Sequence, residues 1–279
     1  MNFYDPNDGS SSRYLSAHEL YRIGVEYYED KNYSSAYDCF LRAANQNHVE
    51  AHFYIGLMYH LGYGLYPDYS QAVKWYFFPA EQGHLVAQNN LGVLYEKGLG
   101  VNKDYKTAYY WYYKAAKQGY EVAQKNLGTL YYKGRGVNTD YDRSFYWYSK
   151  AANQGCLDAI YNVGLAYANG HGVARNSRIA ASWYYKAAKQ GHAIAQNNLG
   201  ALYKLGDGVP KDYDQAFYWY SKSAAHGYAI AQCNLAFMYE NGLGTYRDLD
   251  TAIDLYIKSA KGGHATAKDA LIRLGVDWY

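Results

Sequence analysis

The sequence predicts an all-α solenoid of antiparallel helix pairs, on three observations. From Ala51 onward the chain aligns with itself six times at a period of 36 residues. Of its 27 glycines, 24 occupy four slots of that repeat. Within each repeat, apolar residues follow the i, i+4, i+8 spacing of one helical face. A period of about 20–50 residues is typical of solenoids, in which each repeat packs only on its neighbours.

The first helix of each repeat, helix A, is clearest in the repeat that starts at Ala87. Ala87, Leu91 and Tyr95 share one helical face, and Gly98 follows at the position of a left-handed C′ residue. A second glycine two residues later keeps the connector short. Both slots are glycine in all six repeats, at Gly62 and Gly64, Gly98 and Gly100, Gly134 and Gly136, Gly170 and Gly172, Gly206 and Gly208, and Gly242 and Gly244.

The second helix, helix B, follows an aspartate such as Asp104, a residue type favoured at helix N-caps. Helix B is expected to bury Ala108 and Tyr112 and to end at Gly119. A further glycine, Gly92, lies inside helix A, where it costs about 1 kcal/mol relative to alanine. We therefore expect this slot to let helix B approach closely. The slot is also glycine at Gly24, Gly56, Gly128, Gly164 and Gly200, and is alanine only at Ala236.

Pro79 interrupts the pattern inside one helix B, where the other complete repeats have alanine or serine. Proline removes one helical hydrogen bond, and its ring is expected to clash with the carbonyl of Trp75. The sequence thus predicts that this helix is kinked or ends early.

The two ends of the chain differ from the central repeats. Residues 1–16 contain a polar Asn-Asp-Gly-Ser run without apolar periodicity, and are expected to form a disordered tail. Residues 17–50 form a first repeat whose internal turn is four residues shorter. Residues 51–266 are the six 36-residue repeats, and residues 267–279 are expected to be a capping helix with a polar outer face.

The repeat motif resembles a known family. Helix A reads A-x-x-N-L-G-x-x-Y-x-x-G-x-G-V, and helix B reads D-Y-x-x-A-x-x-W-Y-x-K-A-A-x-Q-G. This pattern is similar to the Sel1-like repeat, a branch of the tetratricopeptide superfamily, and the first repeat resembles the tetratricopeptide form itself. The resemblance covers about residues 19–279. It implies a right-handed superhelix with helix A on its concave side, and adaptor roles in protein complexes.

Composition limits the possible partners and compartment. The net charge of +2 is too close to neutral to indicate a nucleic-acid partner. The three cysteines occupy unrelated repeat slots, which argues against a disulfide framework and favours a reducing, cytoplasmic location. The N-terminal residues do not resemble a signal peptide. No apolar run is long enough for membrane insertion, and the oligomeric state is left open.

No pattern of catalytic, cofactor-binding or metal-binding residues recurs. The Gly-x-Gly connectors follow a helix rather than a strand, so they are expected to be turns and not phosphate-binding loops. One histidine slot after helix B repeats about every 10 Å, whereas zinc ligands lie about 2 Å from one ion. These histidines are expected to be surface-loop residues; they are His48, His84, His192 and His264.

Two polar rows are candidates for binding. The asparagine ladder occupies the fourth position of helix A, at Asn90, Asn126, Asn162, Asn198 and Asn234, with Tyr54 in the same slot of the preceding repeat. In the superfamily that the chain resembles, this position faces the groove and can bond the backbone of an extended peptide. The amide offers both donor and acceptor. Alternatively, the ladder bonds a neighbouring helix or loop. Tyr132 and Tyr161 are expected to form side-chain pockets beside it.

The second is the lysine row on helix B, at Lys114, Lys150, Lys186, Lys222 and Lys258. It is expected to be a solvated face that complements the helix dipole, and alternatively a contact for a nucleic-acid backbone. Tyrosine is abundant, with 38 residues. The Tyr95, Tyr105 and Tyr112 slots are expected to be core, and the remainder raise the prospect of a binding surface.

The leading hypothesis is a non-enzymatic scaffold that binds a partner protein or extended peptide in its concave groove. The alternatives are an RNA-binding helical repeat and the hydrolase activity proposed for some secreted members of the family that the chain resembles.

Overall fold

The computed structural model describes residues 15–277. Fifteen helices and no strand occupy this part of the chain, so the predicted all-α repeat fold is confirmed. Residues 1–14, most of the predicted tail, lie outside it, as do residues 278 and 279 of the predicted capping segment. The chain divides into two compact units, residues 1–123 and residues 124–279.

Unit 1 contains three helix pairs, and each of its helices packs on its neighbours in the chain. They are α1 (Ala17–Glu29), α2 (Tyr33–Ala44), α3 (Val49–Leu61), α4 (Tyr69–Glu81), α5 (Leu85–Lys97) and α6 (Tyr105–Lys117). The boundary between the two units falls within the next helix, α7 (Glu121–Lys133).

Unit 2 contains the remaining repeats and ends in a short helix. Helices α8 to α15 again pack on their neighbours in the chain. They are α8 (Tyr141–Asn153), α9 (Leu157–Asn169), α10 (Ser177–Lys189), α11 (Ala193–Leu205), α12 (Tyr213–Ala225), α13 (Ala229–Asn241), α14 (Leu249–Lys261) and α15 (Ala265–Arg273).

The predicted helix ends are confirmed. At the start of α6, the Asp104 carboxylate accepts hydrogen bonds from the backbone N–H groups of Lys106 and Thr107, at 2.9 and 3.3 Å. The helix A that precedes it ends at Gly98, whose φ of 71° is left-handed. The glycine and an aspartate, or an asparagine at Asn176, therefore fix where helix A stops and where helix B starts in the other 36-residue repeats, and Asn32 caps helix B of the first repeat.

The helix A glycine is a packing residue, as predicted. A Cβ atom on Gly164 would lie 2.8 Å from the ring of Tyr184 and 3.2 Å from the Cβ of Trp183. Tyr184 is only 2% exposed and cannot move aside. Its slot is the aromatic core of each repeat, and comprises Phe40, Tyr76, Tyr112, Tyr148, Tyr184, Tyr220 and Tyr256.

The second connector glycine has a role that the sequence did not indicate. A Cβ on Gly100 would collide with the backbone of Tyr69 and Ser70 at the start of α4. A Cβ on Gly208 would meet Ser177 and Arg178 in the same way at the start of α10. Each of these connectors therefore lies directly against helix B of the preceding repeat.

The expectation that the helix containing Pro79 ends early is wrong, and the Tyr105 slot also differs from expectation. The helix that contains Pro79 does not end early, because α4 has the same 13-residue length as its counterparts and continues to Glu81. Pro79 lies close enough to the C-terminus that only the bond to the Trp75 carbonyl is lost. The Tyr105 slot is also not core. Tyr69 and Tyr141, at the first position of helix B, are 36% and 40% exposed.

Candidate peptide-binding groove

The asparagine ladder lies on successive A helices, and every member is half-buried. Asn90 is on α5 in unit 1, and the remaining members are on α7, α9, α11 and α13 in unit 2. Half-burial places each amide within reach of its neighbours and of solvent. Their hydrogen bonds decide which amides are available to a ligand.

Three ladder members are bonded within the protein. Asn234 donates through Nδ2 to the Oδ1 of Asn197, at 2.9 Å. Asn197 in turn donates to the Oδ1 of Asn198, at 3.3 Å. The Asn198 side chain also interacts with the hydroxyls of Tyr161 and Tyr184.

In unit 1, the Asn90 side chain interacts with the hydroxyl of Tyr76. The ladder is therefore partly an internal network between neighbouring helices, which was the alternative that the sequence left open. Asn126 also has an interaction partner.

Asn162 differs from these members. Its side chain makes no hydrogen bond to another residue of the range 15–277, and it lines two adjoining cavities of unit 2. The more enclosed cavity has room for little more than a water molecule, and it is lined by Tyr132, Phe145, Asn162 and His171 among others. The Asn162 amide is therefore the ladder member best placed to bond a ligand.

The second cavity is an open groove of about 710 Å³ that crosses α7, α9 and α11. It brings together Tyr132, Tyr161 and Asn162, three of the residues selected from the sequence. Ile194 adds an apolar contact that is 36% exposed. Burial raises the pKa of Tyr161, so its hydroxyl stays protonated at neutral pH and can donate a hydrogen bond.

Charged side chains of both signs line the same groove. The Nζ of Lys125 lies 3.6 Å from the Oδ2 of Asp158, and the Nε2 of His192 lies 3.9 Å from the Oδ1 of the same carboxylate. Lys133 is a further cation. A groove with amide, phenol and mixed charge suits a polar peptide backbone better than an apolar small molecule.

The expectation that the histidines of the slot after helix B are surface-loop residues is wrong. His192 is the N-cap of α11, where its Nδ1 accepts the backbone N–H of Ala195 at 3.1 Å. Its ring stacks on Tyr161 with centroids 4.6 Å apart. Burial lowers the pKa of His192, and Asp158 partly opposes that shift.

The same arrangement recurs in unit 1. His84 caps α5 through the Ala87 N–H at 3.1 Å and stacks on Phe53 at 4.3 Å. The repeated histidine slot was visible in the sequence. Its aromatic partner, 31 residues earlier in both cases, becomes apparent only when the repeats are stacked.

Tyr54 takes the ladder slot in unit 1 and packs inward. Its ring lies 4.9 Å from Phe40 and 5.3 Å from Tyr28, with Tyr21 at 5.9 Å. This aromatic cluster fills the space between the first two repeats. Tyr54 therefore contributes to the packing of unit 1.

His171 and Phe145 line the enclosed cavity beside the groove and were missed by sequence reasoning. His171 stacks on Tyr141 at 4.3 Å, and its Nδ1 is buried without a hydrogen-bond partner among the described residues. It follows a C′ glycine, Gly170, where the other repeats carry no histidine. That departure from the repeat was the available signal.

Residues 15–277 contain neither a metal-binding cluster nor a membrane-spanning helix. No group of three or more histidine, cysteine, aspartate or glutamate side chains is arranged to hold a metal ion. No helix there has the length and apolar character needed to cross a membrane.

The stacked helix pairs and the groove across their A helices define a helical-repeat protein. The chain belongs to the Sel1 repeat family. The family model for the Sel1 repeat matches residues 10–48, 49–84, 85–120, 122–156, 157–192, 193–228 and 229–264. These matches include the first repeat, which the sequence reading assigned to the tetratricopeptide form. Sel1 repeat proteins are generally non-enzymatic scaffolds for protein interactions.

Two solved structures are similar over most of the chain. One is c5321, a protective antigen of uropathogenic Escherichia coli strains, with 37% identity and a TM-score of 0.85 over 95% of this chain. This chain spans only 59% of the length of c5321. The other is a Sel1 repeat protein from Oxalobacter formigenes, with 34% identity and a TM-score of 0.78, covering 86% of this chain and 96% of that one. No functionally curated protein matches the chain.

Proposed function

We propose that the protein is a non-enzymatic adaptor that binds an extended segment of a partner protein in the unit 2 groove. The observation that supports this most is the open groove across α7, α9 and α11, with the unbonded amide of Asn162 between Tyr132 and Tyr161. An amide that can both donate and accept suits a peptide backbone.

The more enclosed cavity beside Asn162 would take a side chain of the bound segment. It combines the rings of Tyr132, Phe145 and Tyr148 with the unpartnered Nδ1 of His171. Burial raises the pKa of Tyr148 to about 12, so this ring stays neutral. A small polar group at the tip of such a side chain fits this lining.

Site-specific photocrosslinking tests the location of the site. A photoreactive phenylalanine replaces Ile194 in the groove or, as the control, Tyr246 in a connector, which is 94% exposed. We expect position 194 to crosslink one continuous partner segment, which position 246 does not capture. Equal capture at both positions would contradict a groove-specific partner.

A peptide with the sequence of the crosslinked segment then tests the role of Asn162. Asn162→Ala should weaken its binding by about 0.5–1.5 kcal/mol, the net worth of one hydrogen bond. The fold should stay intact because this amide has no partner to lose. Asn198→Ala is the matched comparison, since it breaks internal bonds and should lower stability as well. Unchanged peptide affinity in Asn162→Ala would contradict the proposal that the segment binds in this groove.

We further propose a cytoplasmic location, on the cysteine distribution. Cys39, Cys156 and Cys233 are all unpaired, and Cys39 lies in a different unit from the other two. Thiol titration of the purified protein under denaturing, non-reducing conditions should recover three free thiols. Recovery of one thiol would indicate an oxidised pair and contradict a reducing compartment.

A further inference from the structure

A separate polar pocket of about 650 Å³ lies between α10, α11 and α12 in unit 2. It is distinct from the groove, with which it shares no lining residue. Its lining includes Lys189, Gln196, Tyr218, Trp219, Lys222 and His226.

Two buried polar atoms in this pocket lack a protein partner. Gln196 is 3% exposed and uses its Nε2 to bond the carbonyl of Ala188, at 3.0 Å. Its Oε1 accepts no hydrogen bond from another described residue. Trp219 is 5% exposed, and its Nε1 likewise donates to none. Leaving buried polar groups unpaired is unfavourable, so a ligand that satisfies both would gain affinity.

The unpaired acceptor results from one residue change in the repeat. In unit 1, Gln118 donates through Nε2 to the Oε1 of Gln88, at 3.1 Å. In unit 2, Gln154 donates in the same way to Gln124, at 2.8 Å. In each pair the two glutamines are 30 positions apart. The residue 30 positions after Gln196 is an exposed histidine, His226. This repeat therefore lacks the donor that satisfies the glutamine elsewhere.

The charge around the pocket is positive. The Nζ of Lys189 lies 5.6 Å from the ring centre of Tyr185, and the Nζ of Lys222 lies 5.6 Å from that of Tyr218. Both tyrosines pack edge-to-face on Trp219, at 5.9 and 4.9 Å. Within the described residues neither ammonium pairs with a carboxylate, and no acidic residue lines the pocket. Two cations thus line the same pocket as Trp219.

We propose that this pocket binds an acidic peptide segment. A backbone carbonyl of the segment accepts from the Trp219 indole, and a backbone N–H donates to the Oε1 of Gln196. Carboxylates of flanking glutamate or aspartate side chains pair with Lys189 and Lys222. A peptide bond supplies the required acceptor and donor together, and the carboxylates match the local charge.

The test follows the Trp219 indole directly. The six tryptophans give six indole signals in a two-dimensional ¹H–¹⁵N spectrum, and the Trp219→Phe variant assigns the relevant one. The probe is the blocked peptide acetyl-Gly-Ser-Glu-Glu-Ser-Gly-amide, titrated at pH 7.5. We expect it to shift the Trp219 signal saturably. A control peptide in which glutamine replaces both glutamates should bind at least about tenfold more weakly.

The decisive variant is His226→Gln, which restores the repeat's usual glutamine donor. It should lower affinity for the acidic peptide about three- to tenfold, because Gln196 then has an internal partner. Lys222→Gln should weaken binding, whereas Lys150→Gln, in the same slot of α8, should not. Asn162→Ala should leave this titration unchanged, which separates the pocket from the proposed groove.

Three results would overturn the proposal. The Trp219 signal could remain unmoved at millimolar peptide, or His226→Gln could bind as well as the parent protein. Free glutamate could also shift the signal as effectively as the peptide, which would indicate a site for small carboxylates and not for a peptide.

Discussion

At the scale of single residues, the glycine inside helix A contributes to stability because it has no side chain. Gly164 is a poor helix former, but its missing side chain allows close contact with the buried ring of Tyr184. The same is true of every repeat except the last, where Ala236 takes the slot and is fully buried.

Gly164→Ala should therefore destabilise the protein although alanine is the better helix former. Overpacking against Tyr184 costs about 1–3 kcal/mol, which exceeds the gain of about 1 kcal/mol from helix propensity. Urea denaturation measures the difference. Ala236→Gly is the matched control and should cost at least about 1 kcal/mol, through helix propensity and the loss of a buried methyl group. A more stable Gly164→Ala protein would show that Tyr184 yields to the added methyl group.

At the scale of helices, the caps are where the repeats differ from one another. Aspartate caps most B helices, whereas histidine caps α3, α5 and α11 through Nδ1. An imidazole can accept this bond only when that nitrogen is unprotonated. These A helices therefore begin at a group that titrates near neutral pH.

The histidine caps predict acid sensitivity above the range in which carboxylates titrate. Burial lowers the pKa of His84 and His192 below the usual value of about 6.5, with Glu50 and Asp158 partly opposing the shift. The unfolded chain therefore binds these protons more readily than the folded protein. The stabilisation is complete above about pH 6.5 and is lost as the pH falls through the folded-state pKa.

Thermal melting between pH 7.5 and 5 tests this expectation. The melting temperature should fall by about 2–4 °C for each kcal/mol lost. Replacing both His84 and His192 with asparagine, a good cap that does not titrate, should flatten the curve over this range. His226→Asn is the control, because that exposed ring caps no A helix through its side chain. An unchanged slope in the double variant would show that other groups cause the acid sensitivity.

At the scale of the whole molecule, each repeat depends on its neighbours in the chain, so damage is expected to stay local. The last helix, α15, covers the end of unit 2 through Leu271, which is fully buried with Cys233 and Tyr256 in one cluster. Burial also raises the pKa of the Cys233 thiol to about 11, which keeps it unreactive in the folded protein.

Leu271→Ala should therefore expose Cys233 selectively. Such a truncation costs about 2–5 kcal/mol in a packed site, here concentrated in the terminal repeat. Labelling with a maleimide, followed by mass spectrometry, should show Cys233 reacting at least tenfold faster than in the parent protein. Cys39 in unit 1 serves as the internal reference and should keep its rate. Equal acceleration at both cysteines would indicate that the chain unfolds as one cooperative body.

The sequence predicted the parts of the fold that depend on local chemistry. The left-handed glycines, the aspartate caps and the glycine beside Tyr112 each follow from backbone geometry or side-chain volume within one repeat. The exposure of Tyr69 could not be predicted in this way, because the first turn of helix B reaches beyond the core. The effect of Pro79 was overestimated, since only two residues of helix follow it.

The candidate site was predicted in position but not in detail. Spacing placed Asn162 near Tyr132 and Tyr161, and the structure brings these three side chains into one groove. Spacing could not show that Asn198 is bonded to Asn197, or that Asn162 makes no hydrogen bond within residues 15–277. Those differences depend on side-chain orientation and on Asn197, which bonds Asn198 in its own helix and Asn234 in the next repeat.

The connector glycines have a consequence for how chains of this kind can change in length. Gly100 and Gly208 rest on the backbone of the preceding helix B, so their loops have no room for an added residue. An insertion there would separate two stacked repeats, whereas duplication of a complete 36-residue segment would reproduce the same contact. Relatives should consequently differ in length by whole repeats, with the spacing inside each repeat preserved.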